Sequence, residues 1–118
     1  MAETIKKNEE FKTVYRNGKS YANKYLVMYA YQNGREKNRL GISVSKKVGN
    51  SVVRHRIARL LRESFRLNDE QFHSGWDMVV VARTSAKGKS FRDMESAFLH
   101  LAKLHGIMNY ERRIDSDN

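Results

Sequence analysis

The sequence predicts an α+β sandwich in which helices pack on one small sheet. Three observations lead to this prediction. Residues 52–66 and 91–101 carry apolar side chains at helical spacing. Residues 25–31 and 39–45 alternate between apolar and other side chains, as half-buried strands do. Residues 78–82 are continuously apolar, which suits a strand that is covered on both faces.

The first helix is predicted over residues 9–17. Asn8 is a favoured capping residue, acids occupy the first turn, and Gly18 stands where the helix should stop. Phe11, Val14 and Tyr15 fall on one side of this helix. We therefore expect that side to face the sheet.

Two predicted strands follow the helix. In residues 25–31, Tyr25, Tyr29 and Tyr31 should share one face, and a row of tyrosines resembles a platform on which unpaired bases stack. Asn33-Gly34 is a hairpin-type turn, although the charged residues after it indicate a longer connection. In residues 39–45, Gly41, Ser43 and Ser45 share one face, so a backbone can approach that face closely.

A basic helix is predicted from Gly49-Asn50-Ser51 to about residue 67. Its apolar arc, which should face the core, consists of Val53, Ile57, Leu60, Leu61 and Phe65. The opposite arc consists of His55, Arg59, Arg62 and Arg66, flanked by Arg56. Such a stripe of cations repels itself unless an anion lies along it.

The remaining elements complete the order α-β-β-(β)-α-β-α. The apolar strand 78–82 follows the basic helix, and Ser90 with Asp93 resembles a capping box that opens the last helix. Phe91, Met94 and Phe98 then recur at helical spacing.

Composition bounds the class of protein. The chain has 118 residues and no cysteine, which excludes a disulfide scaffold, a thiolate zinc site and a cysteine nucleophile. Its net charge is +10, and residues 35–66 alone hold ten basic residues against two acids. This concentration predicts a binding face for a polyanion. A signal peptide and an 18-residue apolar run are lacking, so we expect a soluble, cytoplasmic protein.

The basic loop favours binding of an extended phosphate backbone over a mononucleotide pocket. Lys46 and Lys47 stand where a strand passes into a helix, and free N–H groups at a helix start can receive a phosphate. A nuclease site made of protein side chains would need clustered acids or a paired histidine, whereas the acids are scattered here. His100 and His105 are five residues apart, which spoils a helical metal pair.

The segment RLGISVSKKVGNSVVRHRIARLLRESF, residues 39–65, resembles the signature of the protein subunit of bacterial ribonuclease P. The resemblance continues in IKKNEEFKTVYRNGKSYANKYLVMY and, more weakly, in WDMVVVARTSAKG. It implies an α-β-β-β-α-β-α fold with a left-handed βαβ crossover, against the usual right hand. It also implies one domain over residues 1–118, with a flexible tail from about 112 to 118.

The function implied by the resemblance is RNA binding within a ribonucleoprotein endonuclease. The catalytic RNA would remove the 5′ leader of precursor tRNA with Mg²⁺ held by the RNA, and the protein alone would bind no metal or other cofactor. The partners would be the ribonuclease P RNA and precursor tRNA, without a membrane. The alternative is a basic ribosomal or ribosome-assembly RNA-binding protein, which shares this charge, size and lack of cysteine.

The resemblance also implies two RNA-binding sites and no catalytic side chain. The leader cleft would consist of Phe11, Tyr15, Tyr29, Lys46, Lys47, Arg54 and Arg83. The catalytic RNA would be bound by Asn50, His55, Arg56, Arg59, Arg62 and Arg66. The chain departs from the family at His55, where the arginine motif usually has asparagine, and at Thr84-Ser85, where a proline is common.

Overall fold

The computed structural model describes residues 3–109. The elements are β1 (Glu3–Thr4), α1 (Asn8–Asn17), β2 (Lys19–Ala22), β3 (Leu26–Gln32), β4 (Arg39–Ser43), α2 (Ser51–Asn68), β5 (Trp76–Ala82) and α3 (Phe91–Leu104). The predicted α+β class and the order α-β-β-β-α-β-α are confirmed, and the two-residue strand β1 precedes them. The tail expected at about 112–118 lies outside the described residues.

The five strands form one mixed sheet in the order β1-β4-β5-β3-β2. Strand β4 runs parallel to both β1 and β5, whereas β3 is antiparallel to β5 and to β2. Because β4 and β5 are parallel neighbours joined through α2, they form the expected βαβ unit. The left-handedness of this crossover connection stays a prediction.

The connection from β3 to β4 is the longer of the two forms considered. The central strand β5 lies between β3 and β4, so Asn33-Gly34 does not close a hairpin, and that part of the prediction is wrong. The Asn33 side chain instead accepts a hydrogen bond from the Arg35 N–H at 2.7 Å, and Gly34 adopts a positive φ of 71°. Residues 33–38 thereby bridge two strands that are not paired.

Each face of the sheet has its own core. The larger core lies between the sheet and helices α2 and α3, and the predicted inner residues Ile57, Leu61 and Phe65 are buried there. The smaller core, formed by Ile5, Val14 and Val79, lies under α1 on the opposite face. Strand β5 contributes to both cores, which confirms that it is covered on both faces.

Helix starts follow the sequence at α2 and α3 but not at α1. The Asn50 side chain accepts a hydrogen bond from the Val53 N–H at 3.0 Å, and the predicted capping box opens α3. Asn8 is already helical, and Lys7 caps α1 without a side-chain hydrogen bond, so the prediction that Asn8 caps this helix is wrong. Gly18 ends α1, as predicted.

Candidate nucleic-acid interface

Three aromatic side chains from α1 and β3 meet on one face of the sheet. The ring centroids of Tyr15 and Tyr29 are 4.8 Å apart at 85°, and those of Phe11 and Tyr15 are 6.4 Å apart at 39°. Residues four apart lie on one side of a helix, and Tyr29 lies on the sheet face under that side. The structure thus brings together the three aromatic residues predicted to line a cleft, which we call the aromatic cluster.

The members of the aromatic cluster differ in their exposure to solvent. Phe11 is packed into the smaller core, where a Cβ atom on Gly41 would lie 2.9 Å from its ring. Tyr15 remains 39% exposed. On the glycine and serine face of β4, Phe11 therefore fills the space beside Gly41, so a backbone cannot approach closely at that position. Among the three rings, Tyr15 offers the largest free surface.

Ser43 supports Tyr15 and was not singled out from the sequence. Partial burial raises the pKa of the Tyr15 phenol, and the Ser43 side chain beside it opposes that rise. The phenol therefore stays protonated at neutral pH and can donate a hydrogen bond. The serine on the open face of the predicted strand was the signal that could have identified this contact.

Tyr25 does not share the face of Tyr29 and Tyr31, which corrects the sequence prediction. The Asn23 side chain accepts hydrogen bonds from the N–H groups of Tyr25 and Leu26 at 3.2 and 3.0 Å, so a turn precedes β3. Tyr25 packs against the larger core instead. The ammonium nitrogens of Lys24 and Lys89 lie 5.6 and 5.4 Å from its ring centroid.

The carboxyl ends of β4 and β5 gather several predicted cations at one end of the sheet. Lys46 and Lys47 are exposed in a turn closed by the Val48 N–H, which donates to the Ser45 carbonyl at 3.1 Å. Arg83 follows β5, where its guanidinium donates to the Asn23 carbonyl at 2.8 Å. Since Ser43 pairs in register with Val81, both basic segments leave the sheet side by side.

Arg54 occupies the first turn of α2 and is partly buried. Its Nε is enclosed, and residues 3–109 offer this atom no hydrogen-bond partner. A buried donor without a partner is costly in a folded protein. An anion bound at this position would remove that cost.

The predicted stripe on α2 faces solvent on the side of the sheet opposite the aromatic cluster. His55, Arg59, Arg62 and Arg66 are all exposed. A shallow depression of about 610 Å³ is lined by His55, Arg56, Arg59 and Arg62. Helix α2 therefore presents its cations as one continuous surface, which we call the arginine stripe.

Three members of the predicted RNA-binding set already serve the fold. The Arg56 guanidinium donates to the Lys89 carbonyl at 2.8 Å, and Arg66 pairs with Glu63. That pairing lowers the pKa of the Glu63 carboxyl. Asn50 caps α2 with its side-chain oxygen, which leaves its amide nitrogen for an outer partner. The stripe's charge is thus least compensated at Arg59 and Arg62.

Arg39 is buried in an ion-pair network that the sequence did not reveal. Its guanidinium donates to the Asp77 carboxylate through Nε at 2.8 Å and Nη2 at 2.6 Å, and to Glu10 through Nη1 at 2.6 Å. Its hydrogen bonds with Asp77 raise the pKa of Arg39, and Arg39 lowers the pKa of Glu10. Arg39 is one of the ten basic residues in residues 35–66, but its charge is neutralised by Asp77 and Glu10 and is not available to a binding partner.

The acidic and histidine side chains form no metal centre in the described part of the chain. Within residues 3–109, no group of three or more His, Asp or Glu side chains could hold a metal ion. Asp77, Glu10 and Glu63 are engaged by arginines. No helix in the same range is long and apolar enough to cross a membrane.

Comparison with known proteins connects this sequence and this fold to one family. A family profile described as Ribonuclease P matches residues 1–105. The chain is 62% identical over 109 residues to the ribonuclease P protein component of Lachnoclostridium phytofermentans, covering 92% of this chain and 94% of that protein. It is 54% identical over 106 residues to that of Clostridium botulinum, covering 89% and 96%. The solved Staphylococcus aureus RNase P protein matches with a TM-score of 0.84 at 37% identity, over 92% of this chain and 100% of that one.

Proposed function

The chain belongs to the ribonuclease P protein family, and from this premise we propose that it binds the 5′ leader of precursor tRNA on one face and the catalytic RNA on the other. Ribonuclease P is an endoribonuclease in which the RNA carries out catalysis. The protein's task is then to hold substrate and RNA together while the leader is removed. The partners are the ribonuclease P RNA and precursor tRNA.

The observation that carries this proposal is the separation of two surfaces by the sheet. The aromatic cluster lies under α1, whereas the arginine stripe lies on α2 across the sheet. Unpaired bases are bound by stacking on aromatic rings, and folded RNA is bound through its phosphates. The two faces therefore suit two different kinds of RNA.

The leader is assigned to the aromatic cluster and to the cations at the adjoining end of the sheet. Tyr15 offers the most accessible ring, while Phe11 and Tyr29 support it from the core side. The leader phosphates would pass Lys46, Lys47, Arg54 and Arg83. The enclosed Nε of Arg54, for which residues 3–109 provide no partner, supports an anion at that position.

The catalytic RNA is assigned to the arginine stripe and the residues around it. These residues are Asn50, His55, Arg56, Arg59, Arg62 and Arg66. Arg59 and Arg62 would contribute most, because Arg56 and Arg66 already have partners within the fold. His55 stands among arginines, where contact with a phosphate suits it better than acid–base chemistry.

The Mg²⁺ ions of the reaction are assigned to the RNA. Metal-dependent phosphodiester cleavage needs closely spaced acidic oxygens. The carboxylates of Asp77, Glu10 and Glu63 are turned toward arginines in this protein. The protein would assist the reaction by positioning, not by donating or accepting a proton.

Reconstitution with a ribonuclease P RNA at low Mg²⁺ tests the proposal. Added protein should restore leader removal from precursor tRNA. Tyr15→Ala should then weaken precursor binding about 5- to 150-fold, the range for one lost base stack, whereas Tyr15→Phe should bind nearly as wild type. Mature tRNA binding should not change.

The length of the leader supplies the decisive control. The Tyr15→Ala defect should shrink as the leader is cut to one or two nucleotides, because the cleft is then empty in wild type as well. A folded Tyr15→Ala variant that binds long-leader and leaderless tRNA in the wild-type ratio would contradict the leader assignment. Failure of the wild-type protein to restore cleavage would contradict the function as a whole.

A further inference from the structure

A third surface lies where α3 ends and leaves part of the sheet uncovered. It is a groove of about 680 Å³ on the α2/α3 face of the sheet, lined by Lys19, Tyr21, Gln32, Trp76, Leu104 and His105 among others. We call it the α3-end groove. Its strand residues Lys19, Tyr21, Gln32 and Trp76 lie on the opposite face from the aromatic cluster, and at the sheet edge the groove also reaches Asn17 and Tyr31 of the α1 face. The depression of the arginine stripe shares no lining residue with it.

The groove is open because α3 is too short to cover the last positions of the strands. Helix α3 ends at Leu104, and Gly106, with a φ of +73°, turns the chain away. Lys19 pairs in register with Ala30, and Gln32 pairs with Trp76, so their side chains point to the same face of the sheet. Tyr21 and Leu104 consequently remain 41% and 44% exposed.

Two aromatic side chains mark the ends of the groove. Trp76 on β5 and Tyr21 on β2 lie two strands and four register positions apart, about 16 Å from strand spacing and rise. Lys19 stands between them along β2. This order, aromatic–cation–aromatic, is that of surfaces on which a single strand of nucleic acid is stacked and neutralised.

The polar groups of the groove suit base edges and one phosphate. His105 Nε2 lies 2.9 Å from the Met28 carbonyl, which can only accept, so Nε2 carries the hydrogen. Burial lowers the pKa of His105, so the ring is neutral at pH 7 and its Nδ1 is an acceptor. The Tyr21 ring holds the imidazole edge-on with centroids 4.7 Å apart.

The charge of the groove favours an anion. Of the described residues that line it, Lys19 is the one charged at neutral pH, and none is acidic. Asp77 follows Trp76 in β5, but it points to the other face and is bound by Arg39. A phosphate therefore meets a cation here without an opposing carboxylate.

We propose that the α3-end groove binds a short unpaired RNA segment, with bases stacked on Tyr21 and Trp76 and a phosphate on Lys19. This site is additional to the leader cleft and the arginine stripe, and it rests on the proposed function only in that RNA is the partner. Gln32 and the Nδ1 atom of His105 would contact base edges. The protein would thereby hold a single-stranded stretch at a place that shares no lining residue with the depression of the arginine stripe.

Trp76 makes the proposal directly measurable, because it is the only tryptophan of the chain. The full-length protein is titrated with an oligouridylate hexamer while tryptophan emission is recorded. A stacked base should quench that emission saturably. A hexamer of abasic sugar-phosphate serves as the anion without bases, and it should leave the emission unchanged.

Variants then separate stacking, charge and nonspecific binding. Tyr21→Ala should weaken the titration about 5- to 150-fold, and Tyr21→Phe should retain it. Lys19→Ala should lower the salt slope by about 0.7, whereas Lys12→Ala, an exposed lysine on α1, should not alter the Trp76 signal. Tyr15→Ala should leave this signal unchanged as well. Melting curves confirm that each variant is folded.

Two results would overturn the proposal. One is unchanged Trp76 emission when a labelled hexamer is shown by anisotropy to be fully bound. The other is equal quenching by the abasic hexamer. Neither result touches the cleavage assay of the reconstituted enzyme, so failure of the groove and failure of the proposed function are distinguished.

Discussion

Asp77→Asn should destabilise the protein strongly while leaving the cleavage step intact. Asp77 is 3% exposed, and its carboxylate accepts from Arg39 Nε, from Arg39 Nη2 and from the Asn33 amide, at 2.8, 2.6 and 2.8 Å. Asparagine has nearly the same shape but carries an N–H₂ group in place of one oxygen. One of the three donors must then face another donor, and the buried guanidinium loses its closest counter-charge.

The size of the effect follows from the burial of the ion pair and from the Glu10–Arg39 pair that remains in the variant. Removing one partner of a buried ion pair costs about 3–5 kcal/mol. Glu10 still accepts from Arg39 Nη1 in the variant, so we expect the lower end, about 3 kcal/mol. For a domain of this size, each kcal/mol shifts Tm by about 3–5 °C, which gives a fall of about 9–15 °C.

Thermal melting by circular dichroism measures this fall, with Glu70→Gln as the control at an exposed acid. Single-turnover cleavage is then measured with saturating protein, below the melting transition of the variant. A Tm within about 2 °C of wild type would refute the energetic reasoning. A lost chemical step in a folded, assembled Asp77→Asn enzyme would refute the assignment of catalysis to the RNA alone.

Three further predictions concern charge, pH and backbone spacing. Arg59→Ala and Arg62→Ala should each lower the salt slope of binding to the catalytic RNA by about 0.7–0.9, and an unchanged slope would remove them from that interface. The pKa of His105 is lowered from 6.5 by folding, so the unfolded chain binds the proton first, and the free energy of unfolding should fall as pH drops through 6.5. Urea unfolding at pH 7.5 and 5.5 should show this fall, and His105→Gln should flatten it. Gly18→Ala should lower Tm more than Gly41→Ala, because its Cβ would lie 2.7 Å from two backbone carbonyl oxygens, whereas that of Gly41 meets movable side chains; equal Tm values would contradict this.

Patterns that depend on one element were predictable from the sequence. The apolar arc of α2, the Asn50 cap and the capping box of α3 each involve neighbours within one or two helical turns. The aromatic cluster also followed, because Phe11 and Tyr15 share a helix side. In each case, the residues themselves fix which face is buried.

Features that depend on distant partners could not be predicted. Arg39 looks like any surface arginine until Asp77, 38 residues later, is placed beside it. Asn33-Gly34 has the sequence of a hairpin turn, but β5 lies between the two strands that the turn connects. Tyr25 continues the sequence alternation of β3. However, the Asn23 side chain accepts hydrogen bonds from the N–H groups of Tyr25 and Leu26, which forms a turn, so the strand begins only after Tyr25.

The two unequal cores divide the molecule into two units that differ in their stability against local unfolding. Helix α1 rests on three buried side chains and one ion pair through Glu10, whereas α2 and α3 share the larger core. Segments with few buried contacts open locally before the whole protein unfolds. The amide hydrogens of α1 should therefore exchange with deuterium ahead of those of β5. Tyr15 would then lie on the helix that opens first.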